Sequence, residues 1–327
     1  MFPINLIEEA RRRIHPYIKK TPLTYDPNLE IYIKWENHQV TGSFKARGAF
    51  NKVLTLEKWE LMRGLVAASA GNHGQGVALA GNLFKVPVTV FVSENAVPSK
   101  ILAIQALGAI IRLVPGGYGD AEKTGLEYAL KEKANWISPY NDLQVIAGQA
   151  TIGVEILEEL PHSPETAWIV PVGGGGLISG IGLALETMQE QGKKSKKNKT
   201  LIGVQSEASP YFYHILNYQS QEHAVELPSL ADGLAGPVER NSITIPIVKR
   251  LVSDIVLVTE REIEAAIFYA WSQHHEIIEG SAATGLAAIL SGKIKHRPAI
   301  VIISGGNIQP EIHYEIIFRL DNSLRKF

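Results

Sequence analysis

The stretch TGSFKARGAF, residues 41–50, decides the fold of this chain. It holds Lys45 in a run of small and apolar residues between Gly42 and Gly48. The alternating run IYIKWE, residues 31–36, predicts a strand before it, and residues 46–56 have the composition of a helix. Lys45 is therefore expected at or near a strand-to-helix junction, where the two glycines let the backbone approach a ligand closely.

A lysine in such surroundings has a reactive side chain. Loss of hydration lowers the pKa of the amine, and the neutral amine is a nucleophile that forms Schiff bases. Taken alone, Lys45 fits a solvated lysine at a helix start better than a reactive one, since most lysines are exposed. The rest of the chain decides between the two interpretations.

The composition excludes several classes of protein. The 327 residues suit two domains, or one large α/β body with an inserted lobe. With 32 basic and 33 acidic residues, the net charge of -1 gives no electrostatic case for nucleic acid or a membrane surface. The absence of cysteine removes disulfides, thiolate metal sites and thiol nucleophiles. Because no signal core or run of 18 apolar residues occurs, we expect a cytoplasmic protein.

Strands and helices alternate from Gly64 onward. Short apolar runs separated by helices of about ten residues predict a parallel sheet covered on both faces. These runs are residues 65–69, 86–93, 110–115 and 136–138. We interpret residues 48–141 as a small domain inserted into a larger one formed by residues 1–47 and 142–327.

The second half of the chain repeats this alternation. A helix is predicted over 143–160, and a last helix from about Pro310. Further strands are predicted over 167–172, 201–206, 254–258 and 298–304. The basic run at 193–199 is interpreted as a solvated loop, and residues 22–28 are also predicted to be loop.

Four consecutive glycines, Gly173 to Gly176, lie between a predicted buried strand and a helix start. Several N–H groups there can point at one anion, at the positive end of the helix dipole. Ile178 stands where a dinucleotide fingerprint needs its third glycine, and no Gly-Lys-Ser/Thr follows. A single phosphate monoester fits better; a glycine-rich turn needed only for packing is the alternative.

Two further loops carry polar groups. The run ASAGNHGQ, residues 68–75, suits a carboxylate, with Asn72 as an additional donor. A capped helix start with His73 as a filler residue is the alternative. The run SGGN, residues 304–307, follows the last strand, where α/β proteins tend to place ligands, and its hydroxyl could bond a ring nitrogen.

Together these stretches resemble the fold-type II pyridoxal-phosphate (PLP) enzymes, specifically the serine/threonine dehydratase and serine racemase family. The matching motifs cover essentially the whole chain and lie at residues 36–49, 69–75, 146–149, 171–177, 231–233, 279–280 and 304–307. The resemblance implies an α/β fold like that of tryptophan synthase β, with two lobes based on parallel sheets and helices on both faces. The family's separate C-terminal regulatory domain has no counterpart in this sequence.

The resemblance also implies a role for each matching residue. Lys45 would form the Schiff base with PLP and then take the Cα proton of the substrate. Phe44 would lie against the ring, Asn72 would bond its 3-oxygen and Ser304 its nitrogen. The phosphate would be held by Gly173, Gly174, Gly175 and Gly176. The substrate carboxylate would be bound by Ser69, Ala70, Gly71, Asn72 and His73, while Gly233 and Glu279 would line the ring or substrate side.

The chemistry of these residues favours β-elimination. A serine at the ring nitrogen leaves the ring a modest electron sink, so that expelling a β-hydroxyl is favoured over transamination. Eukaryotic serine racemases have a serine where this chain has Ala70, so we expect slow or absent racemisation. Metal-dependent members have carboxylates where Gln205 and Tyr211 stand, so we expect no such metal site.

The expected activity is a PLP-dependent dehydratase, or ammonia-lyase, acting on L-threonine, L-serine or a close β-hydroxy amino acid. A serine racemase, a β-replacement synthase and a non-catalytic PLP or amino-acid binding protein are the alternatives. The family suggests a homodimer.

Overall fold

Two β-sheets organise the chain. The computed structural model describes residues 5–160, 166–190 and 200–324, so the predicted loop at 193–199 lies outside the described residues. The strands are β1 (Leu23–Asp26), β2 (Ile31–Trp35), β3 (Leu65–Ala68), β4 (Val88–Ser93), β5 (Ile110–Val114), β6 (Asn135–Trp136), β7 (Ala167–Pro171), β8 (Leu201–Ser206), β9 (Asp254–Val258) and β10 (Ala299–Ile303).

Helices surround both sheets. They are α1 (Asn5–Ile14), α2 (Lys45–Val53), α3 (Lys58–Leu61), α4 (Asn72–Phe84), α5 (Pro98–Ala106), α6 (Tyr118–Glu132), α7 (Leu143–Glu159), α8 (Gly176–Glu190), α9 (Tyr211–Tyr218), α10 (Thr244–Leu251), α11 (Glu260–His274), α12 (Gly280–Leu290) and α13 (Pro310–Leu324). The short helices α3, α9 and α10 were not predicted. Among the described residues, no helix is both long and apolar enough to cross a membrane.

The larger sheet has the strand order β1-β2-β10-β7-β8-β9 and is parallel except at one edge. Strand β1 runs antiparallel to β2, so the prediction of loop over residues 22–28 was wrong and the sheet is mixed. The strand β1 alternates neither cleanly nor apolarly, with Thr24 and Tyr25 exposed and Asp26 buried, and this edge strand exists because it pairs with β2 rather than through an apolar pattern of its own.

The apolar side chains of the larger sheet divide between two cores, one on each face. Val301 packs with α11, α12 and α13 on one face, while its neighbours Ile300 and Ile302 pack with α7 and α8 on the other. Strands buried on both faces need such continuous apolar runs. The predicted α/β fold with helices on both faces is therefore confirmed.

The smaller sheet has the order β5-β4-β3-β6, and all its strands are parallel, as predicted. It lies within the predicted small domain. The predicted boundary at residue 48 falls inside α2, which packs against both α4 and α7. The domain boundaries therefore stay a prediction.

Candidate active site

Lys45 is the first residue of α2, after a 3₁₀ turn at Glu36–His38 and a short loop that follow β2. Its Nζ donates to the carbonyl oxygen of Pro139, at 3.0 Å, and lies 5.2 Å from the centre of the Phe44 ring. Burial lowers the pKa of Lys45 to about 8, although the negative charge of Glu279 opposes this shift. The amine is thus far more easily made neutral than an ordinary lysine.

The loop before Lys45 is fixed to the loop after β10. Ser43 forms an antiparallel bridge with Gly305, and the N–H of Phe44 donates to the carbonyl oxygen of the buried Ser304, at 3.0 Å. The structure therefore brings the predicted residues Phe44, Lys45 and Ser304 together.

The four glycines follow β7 and lead into α8, as predicted. Gly175 has a φ of +83°, and a Cβ on Gly174 would lie 2.3 Å from the Tyr140 ring, so neither position tolerates a side chain. The first N–H groups of a helix have no partner within it, and α8 is 15 residues long. Because Tyr140 directly follows Pro139, the amine of Lys45 and the glycine loop both contact the same short segment.

Gly233 borders the same glycine loop. A Cβ on Gly173 would lie 3.0 Å from the Cα of Leu234 and 3.5 Å from the carbonyl oxygen of Gly233. The N–H of Gly233 donates to Ser281 Oγ, at 2.9 Å. Residues 231–234 therefore close the side of the site next to α12.

Asn72 begins α4 at the carboxyl end of β3 and faces Glu279. Its amide nitrogen donates to Glu279 Oε1, at 2.7 Å. Burial raises the pKa of Glu279 to about 7, the charge of Asp232 raises it further, and the hydrogen bond from Asn72 opposes both effects. Asp232 in turn forms an ion pair with Lys100 of α5, which joins the two sides of the site.

In the predicted carboxylate loop, Ser69 bonds within the loop and Ala70 packs on the core. The N–H of Ser69 donates to the carbonyl oxygen of Phe91, Ser69 Oγ accepts from the N–H of Gly71, and Ala70 packs on the core of the smaller sheet. A Cβ on Gly71 would meet no atom within 4 Å, so this part of the backbone faces open space. The N–H groups at the start of α4 are the groups left for a carboxylate.

His73 holds the segment that receives Lys45. Its buried ring donates through Nε2 to the carbonyl oxygen of Ile137, at 2.7 Å, since a carbonyl oxygen can only accept. Burial and the nearby positive charge of Lys45 lower the pKa of His73 to about 3, so the ring is neutral. The side chain of His73 thus fixes the Ile137–Pro139 segment.

Several residues of the site had no assigned role from the sequence. Pro139 contributes a carbonyl group, which leaves no sequence signal, and Tyr140 contributes a surface for Gly174 and Gly176.

Asn307 binds Asn72, although only the serine of its SGGN motif was assigned. Arg47 lies in the stretch that holds Lys45, and its buried partners Glu36 and Glu155 could not be deduced from spacing.

Gln205 stands at a position where metal-dependent members of the family have a carboxylate, and its side-chain amide forms hydrogen bonds within the fold. Gln205 donates to the carbonyl oxygen of Val172, at 3.1 Å, and accepts from the N–H of Tyr213, at 2.9 Å. Among the described residues, no group of three or more His, Asp or Glu side chains could hold a metal ion.

The residues present fit a cofactor that carries an aldehyde and a phosphate. The amine of Lys45 has a lowered pKa, and the glycine loop offers N–H groups at a helix start where no side chain fits. Both lie against Pro139 and Tyr140. The profile of the family described as pyridoxal-phosphate dependent enzyme matches residues 14–305.

This chain belongs to the family of pyridoxal-phosphate dependent enzymes. It is 40% identical to an L-threonine ammonia-lyase of Thermotoga maritima, over 97% of this chain and 78% of that protein. Among solved structures, maize serine racemase superposes with a TM-score of 0.85 at 28% identity, covering 98% of each chain. The processed threonine deaminase isoform 2 of Solanum lycopersicum gives a TM-score of 0.84 at 30% identity, covering 95% of this chain and 91% of that one. The predicted cofactor, PLP, and the predicted family are confirmed.

Proposed function

We propose that this chain is an ammonia-lyase that converts L-threonine, L-serine or a close β-hydroxy amino acid to a 2-oxo acid and ammonia. The observation that carries the proposal is the amine of Lys45, with a pKa lowered to about 8, on Pro139, the neighbour of the Tyr140 that packs on the glycine loop. Similarity to the L-threonine ammonia-lyase of Thermotoga maritima supports it.

The residues of the site have two roles, which are cofactor binding and proton transfer. Gly173, Gly174, Gly175 and Gly176 would hold the phosphate of the cofactor, Phe44 would lie against its ring, and Asn72 and Ser304 would bind its polar atoms. When bound, PLP supplies a sink for the electron pair left at Cα. Lys45 binds the aldehyde and later takes the Cα proton on Nζ.

The substrate lies, in this proposal, between the start of α4 and the ring. The N–H groups at the start of α4 bind its carboxylate, and Gly233 and Glu279 line the opposite side. Ala70 has no proton to give to Cα, so a proton removed by Lys45 cannot return from that side. Elimination of the β-hydroxyl is then the productive outcome.

A serine racemase is the second candidate, because a serine racemase is among the similar structures. Ala70 argues against it. We further propose a cytoplasmic homodimer, in which residues 48–141 form the small domain and residues 1–47 with 142–327 form the large one.

The function is tested by measuring ammonia and 2-oxo acid from L- and D-serine, L-threonine, L-allo-threonine and 3-hydroxyaspartate, with and without Mg²⁺. We expect equal amounts of ammonia and 2-oxo acid from L-threonine or L-serine, independent of Mg²⁺. D-serine formed faster than ammonia would indicate a racemase. Capture of an added thiol at Cβ would indicate a β-replacement synthase. A ligand-dependent shift of the visible absorption without ammonia would indicate a binding protein.

A further inference from the structure

The side chains of Asn307, Asn72 and Glu279 form a chain of hydrogen bonds at the candidate active site, which we call the relay. The amide nitrogen of Asn307 donates to the carbonyl oxygen of Thr41, at 2.8 Å, and to Asn72 Oδ1, at 2.6 Å. The amide nitrogen of Asn72 donates to Glu279 Oε1, at 2.7 Å. The relay therefore runs from the loop that precedes Lys45, through Asn307 and Asn72, to Glu279.

The direction of this relay is fixed at its Thr41 end. A carbonyl oxygen only accepts, so Asn307 must turn its NH₂ group toward Thr41. The same NH₂ group then uses its second hydrogen on the oxygen of Asn72. Asn72 consequently presents its own NH₂ group on the other side, and one of its two hydrogens is left after Glu279 is bound.

The loop around Gly42 makes room for Asn307. Gly42 has a φ of +70°, and a Cβ there would lie 2.6 Å from Asn307 Oδ1. The N–H of Gly306 donates to the carbonyl oxygen of Gly42, at 2.9 Å. The loop that places Lys45 therefore also places Asn307, which ties the orientation of Asn72 to the position of the reactive amine.

We propose that Asn307 is a positioning residue, which holds the amide of Asn72 with its NH₂ group turned into the site so that it donates to the oxygen on the ring of the cofactor. This inference rests on the proposed function, which assigns that contact to Asn72. In this proposal Asn307 does not contact the cofactor; its effect on cofactor binding comes through Asn72. Without Asn307, the oxygen of Asn72 has lost the donor that kept it turned away from Glu279.

The test measures the dissociation constant of PLP from the apoprotein, together with the visible absorption maximum of the loaded protein. In Asn307→Ala we expect about 10-fold weaker PLP binding and a shifted absorption maximum, because one charge-assisted contact is misdirected. Gln309→Ala is the matched control. Gln309 lies on the same loop, and its side chain makes no hydrogen bond within the described residues, so PLP binding is expected to stay within about 2-fold of the parent protein.

A double-mutant cycle with Asn72→Ala separates positioning from a merely structural role. If Asn307 acts through Asn72, then Asn307→Ala changes PLP binding by less than about 2-fold once Asn72 is already alanine. A structural role predicts the full effect in both backgrounds. Additive effects, or an Asn307→Ala protein with unchanged PLP binding and absorption, would overturn the inference.

The variant Asn307→Asp tests the proposal independently, and it does so even if Asn307→Ala fails to fold. Its carboxylate keeps the shape of the side chain but can only accept, so Asn72 must turn its NH₂ group away from the site. We expect PLP binding at least as weak as in Asn307→Ala, and binding equal to that of the parent protein would contradict the proposal. A parent protein that binds no PLP refutes the proposed function instead, before any variant is compared.

Discussion

Lys45 and Arg47 are two basic residues in the first turn of α2, yet their surroundings act on them in opposite directions. Among the described residues, the hydrogen bond of Lys45 Nζ goes to the carbonyl oxygen of Pro139, and burial lowers its pKa to about 8. Arg47 is fully buried and pairs with Glu36, at 2.7 Å, and Glu155, at 2.6 Å. Burial alone would lower the pKa of Arg47 as well, but the two carboxylates outweigh it and raise that pKa.

The difference teaches that the partner, rather than burial, separates a reactive group from a structural one. A buried cation with carboxylate partners stays charged and fixes the chain around it, whereas a buried amine that meets only a carbonyl group is easily made neutral. Arg47 joins α2 to Glu36 after β2 and to Glu155 on α7. It thereby fixes the helix turn from which Lys45 projects.

The largest expected effect is on the reactive residue. Lys45→Ala is expected to lower turnover of the preferred substrate by about 10⁴-fold or more, because both the nucleophile and the Cα base are lost. Steady-state ammonia release measures this effect. Lys52→Ala is the control, since Lys52 lies on the same helix but pairs with Asp142 at 2.7 Å, and its activity should stay within about 2-fold. Full activity in Lys45→Ala would contradict the assignment.

Substitution of Arg47, the structural residue, is expected to lower the stability of the fold. Arg47→Met leaves the carboxylates of Glu36 and Glu155 without their main partner, and we expect a loss of about 3–5 kcal/mol in the free energy of unfolding. Denaturant unfolding of the apoprotein measures it. Arg11→Met is the matched control, because the Arg11–Glu158 pair is exposed and should cost less than about 1 kcal/mol. Equal losses of unfolding free energy in the two variants would show that the buried Arg47 network contributes no more to stability than an exposed ion pair.

The sequence predicted those parts of the site that depend on local pattern. Lys45 at a helix start and the four glycines after a buried strand follow from periodicity and glycine placement. The strand β1 was missed because it has no apolar pattern of its own and exists through pairing with β2. The contact between Asn72 and Glu279 joins residues 207 positions apart, and Pro139 acts through its backbone. Neither has a pattern that spacing could reveal.

The lowered pKa of Lys45 predicts a pH dependence for cofactor uptake. Only the neutral amine attacks an aldehyde, so the rate of PLP incorporation into the apoprotein should rise with pH and reach half its maximum at about 8. An ordinary lysine would be only roughly 0.3% neutral at that pH. Stopped-flow absorbance across the pH range measures the midpoint, and N-acetyl-lysine corrects for titration of PLP itself. A midpoint near that of the free lysine would contradict the assigned pKa.

The smallest expected effect concerns the carboxylate that acts on Lys45 from a distance. The charge of Glu279 raises the pKa of Lys45, so Glu279→Gln should move the midpoint of PLP incorporation to lower pH, by less than about one unit. The amide oxygen of the new side chain can still accept from Asn72, so the orientation of Asn72 is kept. Glu276→Gln is the control, because Glu276 is engaged with His38 and Asn37 outside the site. A midpoint that does not move would mean that burial alone sets the reactivity of Lys45, and a midpoint that rises would contradict the assigned effect of the Glu279 charge.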